Sequence, residues 1–202
     1  EDIQRAADLF KPVYDRTNRV DGFVSIEVSP TLAYDTQSTI EAAKAIYKKV
    51  NRPNAFIKIP GTLEGLPAIE QAIAEGIPVN VTLLFSADQY LTAAEAWLRG
   101  IEARVKKGLN PDVRSVASAF VSRWDKAVSE QVSDGLKNTL GLATSQKTYE
   151  AYLQFLQSNR VQKAMNQGVS PQSLLWASTG AKDPAVADVI YIENLVSPFT
   201  VN

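Results

Sequence analysis

The sequence predicts an α/β protein built on a parallel sheet, either an open doubly wound sheet or most of a barrel. Three observations lead there. Short buried strands alternate with amphipathic helices along the whole chain, which is the pattern of βα units. No glycine-rich phosphate loop follows the first strand, as an open nucleotide-binding sheet would normally carry. One face of several apolar strands holds one or two polar residues near its C-terminal end, where a barrel collects its active site. Against a complete barrel, the chain has 202 residues where eight units normally take about 250, and it opens on a helix.

Residues 1–15 form the first predicted helix, with Ile3, Ala6, Ala7 and Phe10 on one face and Pro12 marking a bend or end. Phe23–Val28 is an apolar strand closed by Pro30. Asp35 is the N-cap of a helix from Thr36 to Val50, whose Ile40, Ala43, Ile46, Tyr47 and Val50 share a side. Ala55–Pro60 is a buried strand bounded by Pro53-Asn54 and Pro60-Gly61. A helix over 64–75 turns Leu66, Ile69 and Ile73 inward and stops at Gly76. Val79–Phe85 is the third strand. Ser86 caps a longer helix in which Tyr90, Ala94, Trp97, Ile101 and Val105 make a stripe ended by Gly108. Ser115–Val121 is the fourth strand, followed by about fifty residues of mostly helical pattern, with Leu136, Leu140, Tyr149, Tyr152, Leu153 and Leu156 as packing residues. Ser173–Ala177 is the fifth strand and Val189–Tyr191 a weaker sixth. There is no linker, low-complexity segment or internal repeat beyond the βα alternation, so residues 1–202 are expected to form one domain.

Composition removes whole classes of chemistry. With no cysteine and no histidine, a disulfide framework, a thiolate nucleophile, a histidine triad and a zinc site all drop out. A formal net charge of −1 from 21 basic and 22 acidic residues makes nucleic acid and anionic membrane poor partners. No apolar stretch approaches a membrane span and no signal peptide opens the chain, so a soluble, cytoplasmic protein is expected. Catalysis would have to come from Lys, Asp, Glu, Tyr, Ser, Thr or Arg.

Lys58 is the most informative of these. It sits in the apolar run Ala55-Phe56-Ile57-Lys58-Ile59-Pro60, where burial strips an ammonium group of water and favours the neutral amine. A neutral amine attacks carbonyls, which is how Schiff-base lysines work. The plain alternative is an edge-strand lysine whose head reaches solvent. Alternation along strands puts Phe23, Ser25 and Glu27 on one face, and Asn80, Thr82 and Leu84 on one face opposite the apolar Val79, Val81 and Leu83. It likewise groups Val116, Ser118 and Phe120. A buried Glu27 is costly unless paired or protonated, and Lys58 on a neighbouring strand could supply the partner, with or without chemistry. Arg123, just past the fourth strand, could grip a phosphate or simply pair with Asp125. Ser178-Thr179-Gly180-Ala181-Lys182 is a flexible hydroxyl-rich loop with a basic residue, and Ser86 is more economically a helix cap than a catalytic hydroxyl.

Taken together, these residues resemble transaldolase. Ile57-Lys58-Ile59-Pro60-Gly61-Thr62 with Glu64-Gly65, then Glu75-Gly76-Ile77 and Asn80-Val81-Thr82-Leu83-Leu84-Phe85-Ser86, carry the resemblance. Ile26-Glu27-Val28 with Asp35-Thr36, then Ser118-Ala119-Phe120-Val121-Ser122-Arg123 and Leu175-Trp176-Ala177-Ser178-Thr179, continue it over essentially the whole chain. The wording is closest to the branch that also occurs fused to glucose-6-phosphate isomerase. The resemblance implies a (β/α)8 barrel of the class I aldolase kind. It also implies transfer of a dihydroxyacetone unit from a ketose phosphate, such as sedoheptulose 7-phosphate or fructose 6-phosphate, to an aldose phosphate in the pentose phosphate pathway. Neither metal nor organic cofactor is implied. Lys58 would then form the Schiff base, and Glu27 would act through a water held by Thr82. Asn80 and Ser118 would bind substrate hydroxyls and Arg123 the phosphate, with Ser178 and Lys182 as further substrate contacts.

The departures are as specific. The family's first strand, bearing an aspartate that deprotonates the substrate during cleavage, has no counterpart in the sequence, nor has a second strand with a Thr-Ser-Asn-Pro-Thr-type motif. A second phosphate-binding arginine of many members is replaced by Thr179-Gly180, leaving Lys182 as a substitute. The expectation is therefore an incomplete barrel, strands three to eight, with open edges beside Phe23–Val28 and Val189–Tyr191 that invite self-association. Two alternatives stay open: another lysine-dependent aldolase on the same barrel, and an inactive fragment with a structural or assembly role.

Overall fold

Each strand pairs only with its neighbours in sequence, and every pairing is parallel. The computed structural model describes residues 1–202. Its six strands are β1 (Val24–Glu27), β2 (Ala55–Pro60), β3 (Val79–Leu84), β4 (Ser115–Phe120), β5 (Ser173–Ala177) and β6 (Thr200–Val201). A helix α1 (Asp2–Arg16) precedes them. Between them run α2 (Thr36–Val50), α3 (Gly65–Ala74), α4 (Ala87–Lys106), α5 (Ser122–Val128), α6 (Leu140–Leu156), α7 (Asn159–Met165) and α8 (Ile190–Leu195). The unbroken order β1 to β6 has no reversal point, which excludes the doubly wound sheet and gives the arc of a barrel. β1 and β6 do not pair with each other, so both edges stay open.

The sheet has an apolar side and a polar side. Ile57, Ile59, Val79, Val81, Ala117 and Leu174 merge with Ala43, Ile69, Ile73, Tyr90, Trp97, Tyr152 and Tyr191 of the helices into one core of 32 buried residues. Caps set the helix starts: Asp35 Oδ1 accepts from the Ser38 N–H at 2.9 Å and Ser86 Oγ from the Gln89 N–H at 3.2 Å. These satisfy donors that the first helical turn leaves without partners.

Four expectations change. Pro12 does not end α1, which carries it inside and runs on to Arg16. Anchors on both sides hold it: Asn54 Nδ2 donates to the Ala7 carbonyl, and Tyr14 packs edge-on against Phe23. Val189–Tyr191 is not a strand. Val189 caps α8, in which Tyr191 and Leu195, four apart, bury one face, and the sixth strand is the two-residue Thr200–Val201 beside Leu174 and Leu175. Leu136 lies in an isolated 3-10 turn before α6 and is exposed rather than packed. Finally, alternation fails at the end of β3. Leu83 adopts φ 61°, and the register slips from Val81↔Ala117 to Leu84↔Ala119, so one residue bulges out. Leu84 turns to the helix side with Val81, both against Gly61, and Leu83 is left 40% exposed.

Ile59 is fully buried in the shared core. Ile59→Ala should lower unfolding free energy by about 2–5 kcal/mol, read from urea midpoints at unchanged slope.

Candidate active site

Residues paired in a parallel ladder project to the same side, and the register lines up Glu27 with Lys58 and Lys58 with Asn80. Ile57 and Ile59, the neighbours of Lys58, are buried against the helices, so the lysine is driven to the concave face. The row Glu27–Lys58–Asn80 therefore crosses three strands on that face. Thr82 stands one alternation further along β3, level with Pro60, and Ser118 one alternation past Val116, the partner of Asn80.

Lys58 Nζ lies 3.6 Å from Glu27 Oε2, with the two side chains 27% and 44% exposed. Glu27 is thus not buried, and the desolvation expected of Lys58 is partial. Glu27 lies on β1, the strand at one edge of the sheet, and Lys58 on the strand next to it. A loose pair of this exposure is worth at most about 1 kcal/mol, so either partner can be drawn away by a ligand.

Asn80 is held differently. Its Nδ2 donates to Ser25 Oγ at 3.2 Å, and its Oδ1 accepts from Ser118 Oγ at 2.7 Å. Asn80 and Ser118 are both buried. Thr82 is buried as well, yet its Oγ1 has no hydrogen-bond partner in the protein. Buried hydroxyls normally find a partner, so this one is available to a water or substrate oxygen. Below the row, Phe23, Phe56, Arg114, Ser173 and Leu175 line a cavity of about 180 Å³ that reaches Ser25 and Asn80.

Arg123 is exposed in the first turn of α5, its guanidinium 5.4 Å from the Phe120 ring centre. It forms no ion pair with Asp125, because Asp125 is buried and accepts from the Leu140 and Gly141 N–H groups and the Tyr191 hydroxyl instead. Ser178, at φ 56°, lies against Ser122: the hydroxyls are 3.1 Å apart and its carbonyl accepts from the Ser122 N–H. Lys182 is exposed on a separate cleft with Lys126, Lys137 and Asn138, whose lining includes neither Lys58 nor Arg123. Sequence reasoning passed over Ser25 as a site residue, although its alternation with Glu27 was the available signal. It also passed over the cluster of Phe85, Phe120 and Trp124 beside Arg123.

The arrangement suits carbonyl chemistry: an amine, a carboxylate within reach, an unsatisfied hydroxyl and a fixed amide. The family model described as transaldolase/fructose-6-phosphate aldolase matches residues 1–201. Among curated relatives, Transaldolase 2 of Nostoc punctiforme is 44% identical over 218 residues, covering 100% of this chain and 57% of that protein. The transaldolase of Thermobifida fusca is 46% identical over 209 residues, covering 100% and 57%. The chain thus spans 57% of the length of these relatives.

The unequal bonding of the two buried hydroxyls can be measured. Ser118→Ala removes the donor to Asn80 Oδ1 and should cost about 1–3 kcal/mol of stability, whereas Thr82→Val, which breaks no protein hydrogen bond, should cost less than about 1 kcal/mol. Chemical denaturation of both variants checks the order.

Proposed function

The chain belongs to the transaldolase/fructose-6-phosphate aldolase family, and on that footing we propose that it performs the lysine imine chemistry of dihydroxyacetone transfer between sugar phosphates. The observation that carries this is the row Glu27–Lys58–Asn80 on one face, with the unpartnered Thr82 hydroxyl beside it. Lys58 Nζ adds to the C2 carbonyl of a ketose phosphate. Glu27, through a water beside Thr82, moves the proton to the oxygen, which leaves as water, and the C2–N iminium remains. Breaking C3–C4 sends its electron pair into the iminium, giving an enamine, while the C4 hydroxyl loses its proton and departs as an aldehyde. The enamine adds to an aldose phosphate aldehyde, and hydrolysis returns the amine. Asn80 and Ser118 hold substrate hydroxyls, and Arg123 takes the phosphate by paired, charge-assisted hydrogen bonds. Ser178, against Ser122 beside Arg123, is proposed as an outer contact; Lys182, on its separate cleft, could reach only the far end of a bound sugar phosphate.

Cleavage also needs a base at the C4 hydroxyl. The family draws it from an aspartate on a strand with no counterpart in residues 1–202, so full transfer is proposed to depend on that group. The motif wording favours the branch found fused to glucose-6-phosphate isomerase, and the substrates fit a cytoplasmic enzyme. No helix is long and apolar enough to cross a membrane.

The open edges favour a second property, self-association. β1 and β6 each leave one side unpaired, and Val196, Phe199 and Val201 beside β6 are exposed. Unprotected edges of this kind recruit further strands.

Borohydride reduction with dihydroxyacetone should fix an adduct on Lys58, and Lys58→Met should abolish it. An adduct confined to a surface residue such as Lys106, read by peptide mass spectrometry, would overturn the assignment. In the same assay Arg123→Ala should raise the half-labelling concentration of fructose 6-phosphate by about tenfold or more, and that of dihydroxyacetone little. Sedimentation velocity should show the 202-residue chain associating as its concentration rises. A monomer across the whole range would rule out edge pairing.

A further inference from the structure

We infer that the buried Asp125–Tyr191 pair is a positioning unit for Arg123, given the phosphate-gripping role proposed for that arginine above. In the run Ser122–Asp125, three of four side chains are tied to different elements, and only Arg123 is free. Ser122 Oγ lies 3.1 Å from Ser178 Oγ in the loop after β5. Trp124 Nε1 donates to the Phe85 carbonyl, just past β3, at 2.9 Å. Asp125 Oδ1 accepts from the Leu140 N–H at 2.9 Å and the Gly141 N–H at 3.2 Å, and its Oδ2 from the Tyr191 hydroxyl at 2.8 Å.

α5 has seven residues, too few to stand as a helix without tertiary support. Its rotation about its own axis is therefore set by these three ties. That rotation presents Arg123 over the Phe120 ring, with its side chain exposed.

Asp125 is an unusual anchor because it is buried with no cation paired to it. A charge in that setting must be fully hydrogen-bonded. The N-terminus of the 17-residue α6 supplies two amides and a favourable dipole, and Thr139 at that end makes no side-chain cap of its own. Gly141 makes the approach possible: a Cβ there would stand 2.6 Å from both Asp125 Oδ2 and the Val121 carbonyl. Tyr191, itself buried, closes the set. Burial first, and the Asp125 carboxylate second, push its phenol well above the ordinary tyrosine range, so it remains a donor through neutral pH. One carboxylate thus joins α5, α6 and α8, the last reached through the segment that carries Lys182.

Tyr191→Phe removes a single hydroxyl, and Asp125→Asn keeps the shape while removing the charge. Both are tested in the 202-residue chain with far-UV circular dichroism as the control for folding. The Arg123 Nε–H resonance, which the Phe120 ring 5.4 Å from the guanidinium should displace, reports the mount directly. It should move toward the free-arginine position in Tyr191→Phe and further in Asp125→Asn. In borohydride labelling of Lys58, Tyr191→Phe should raise the half-labelling concentration of fructose 6-phosphate by about three- to tenfold and leave that of dihydroxyacetone within about twofold. If Asp125→Asn does not fold, Tyr191→Phe decides alone. An unmoved Arg123 resonance, or equal loss for both donors, would overturn the positioning role. A moved resonance with no change for either donor would support the mount and instead sink the phosphate role of Arg123.

Discussion

Burial of Ile57, Ile59, Val79 and Val81 against the helices is the constraint from which the rest follows. Because side chains alternate, burying those four forces Lys58, Asn80 and Thr82 to the opposite face. A slip of one residue would exchange the two sets entirely. Placing a lysine in the apolar core would be prohibitive, so the register of β2 is held from both sides, by what must be buried and by what cannot be. The site is thus a by-product of core packing. Its residues lie in line because their neighbours had to go inside.

That is also why so much was legible in advance. Alternation and caps need no knowledge of distant contacts, and they sufficed for β1 to β5, for the Asp35 and Ser86 helix starts, and for putting Ser25 with Glu27 and Asn80 with Thr82 on one face of their strands, while the resemblance joined Asn80 and Ser118 to Lys58. Features set by the third dimension were not legible. The bulge at Leu83 depends on a single positive φ, and Thr200–Val201 is too short to show a period. Val189–Tyr191 has the composition of a strand but the packing of a helix. The exposure of Glu27 depends on which strand, if any, lies beside β1. Asp125 finds its partners 15 and 66 residues away, and nothing local distinguishes it from a surface acid beside Arg123.

The concave face combines two kinds of bonding. Asn80 is fixed at both ends of its amide, by Ser25 and Ser118, and buried groups so bonded are slow to rearrange. Lys58 and Glu27 are held only by a loose pair. A group that orients a ligand loses little by being rigid, whereas groups that exchange protons and bonds must move between partners. The division between fixed and movable residues matches the division of labour proposed for them.

Lys58, 27% exposed, stands on a sheet open at both edges, and the consequence is one of lifetime. Under the chemistry proposed above, an enamine on that amine would sit between two fates, capture by an incoming aldehyde and quenching by a proton from bulk water. A closed pocket delays the second by keeping water out. Whatever covers the unpaired side of β1 would therefore decide how the proposed intermediate divides between the two, transfer when that side is closed and release of free dihydroxyacetone when it is not. The sheet gathers Glu27, Lys58 and Asn80 in one row; keeping an intermediate there long enough to hand on would be a matter of enclosure.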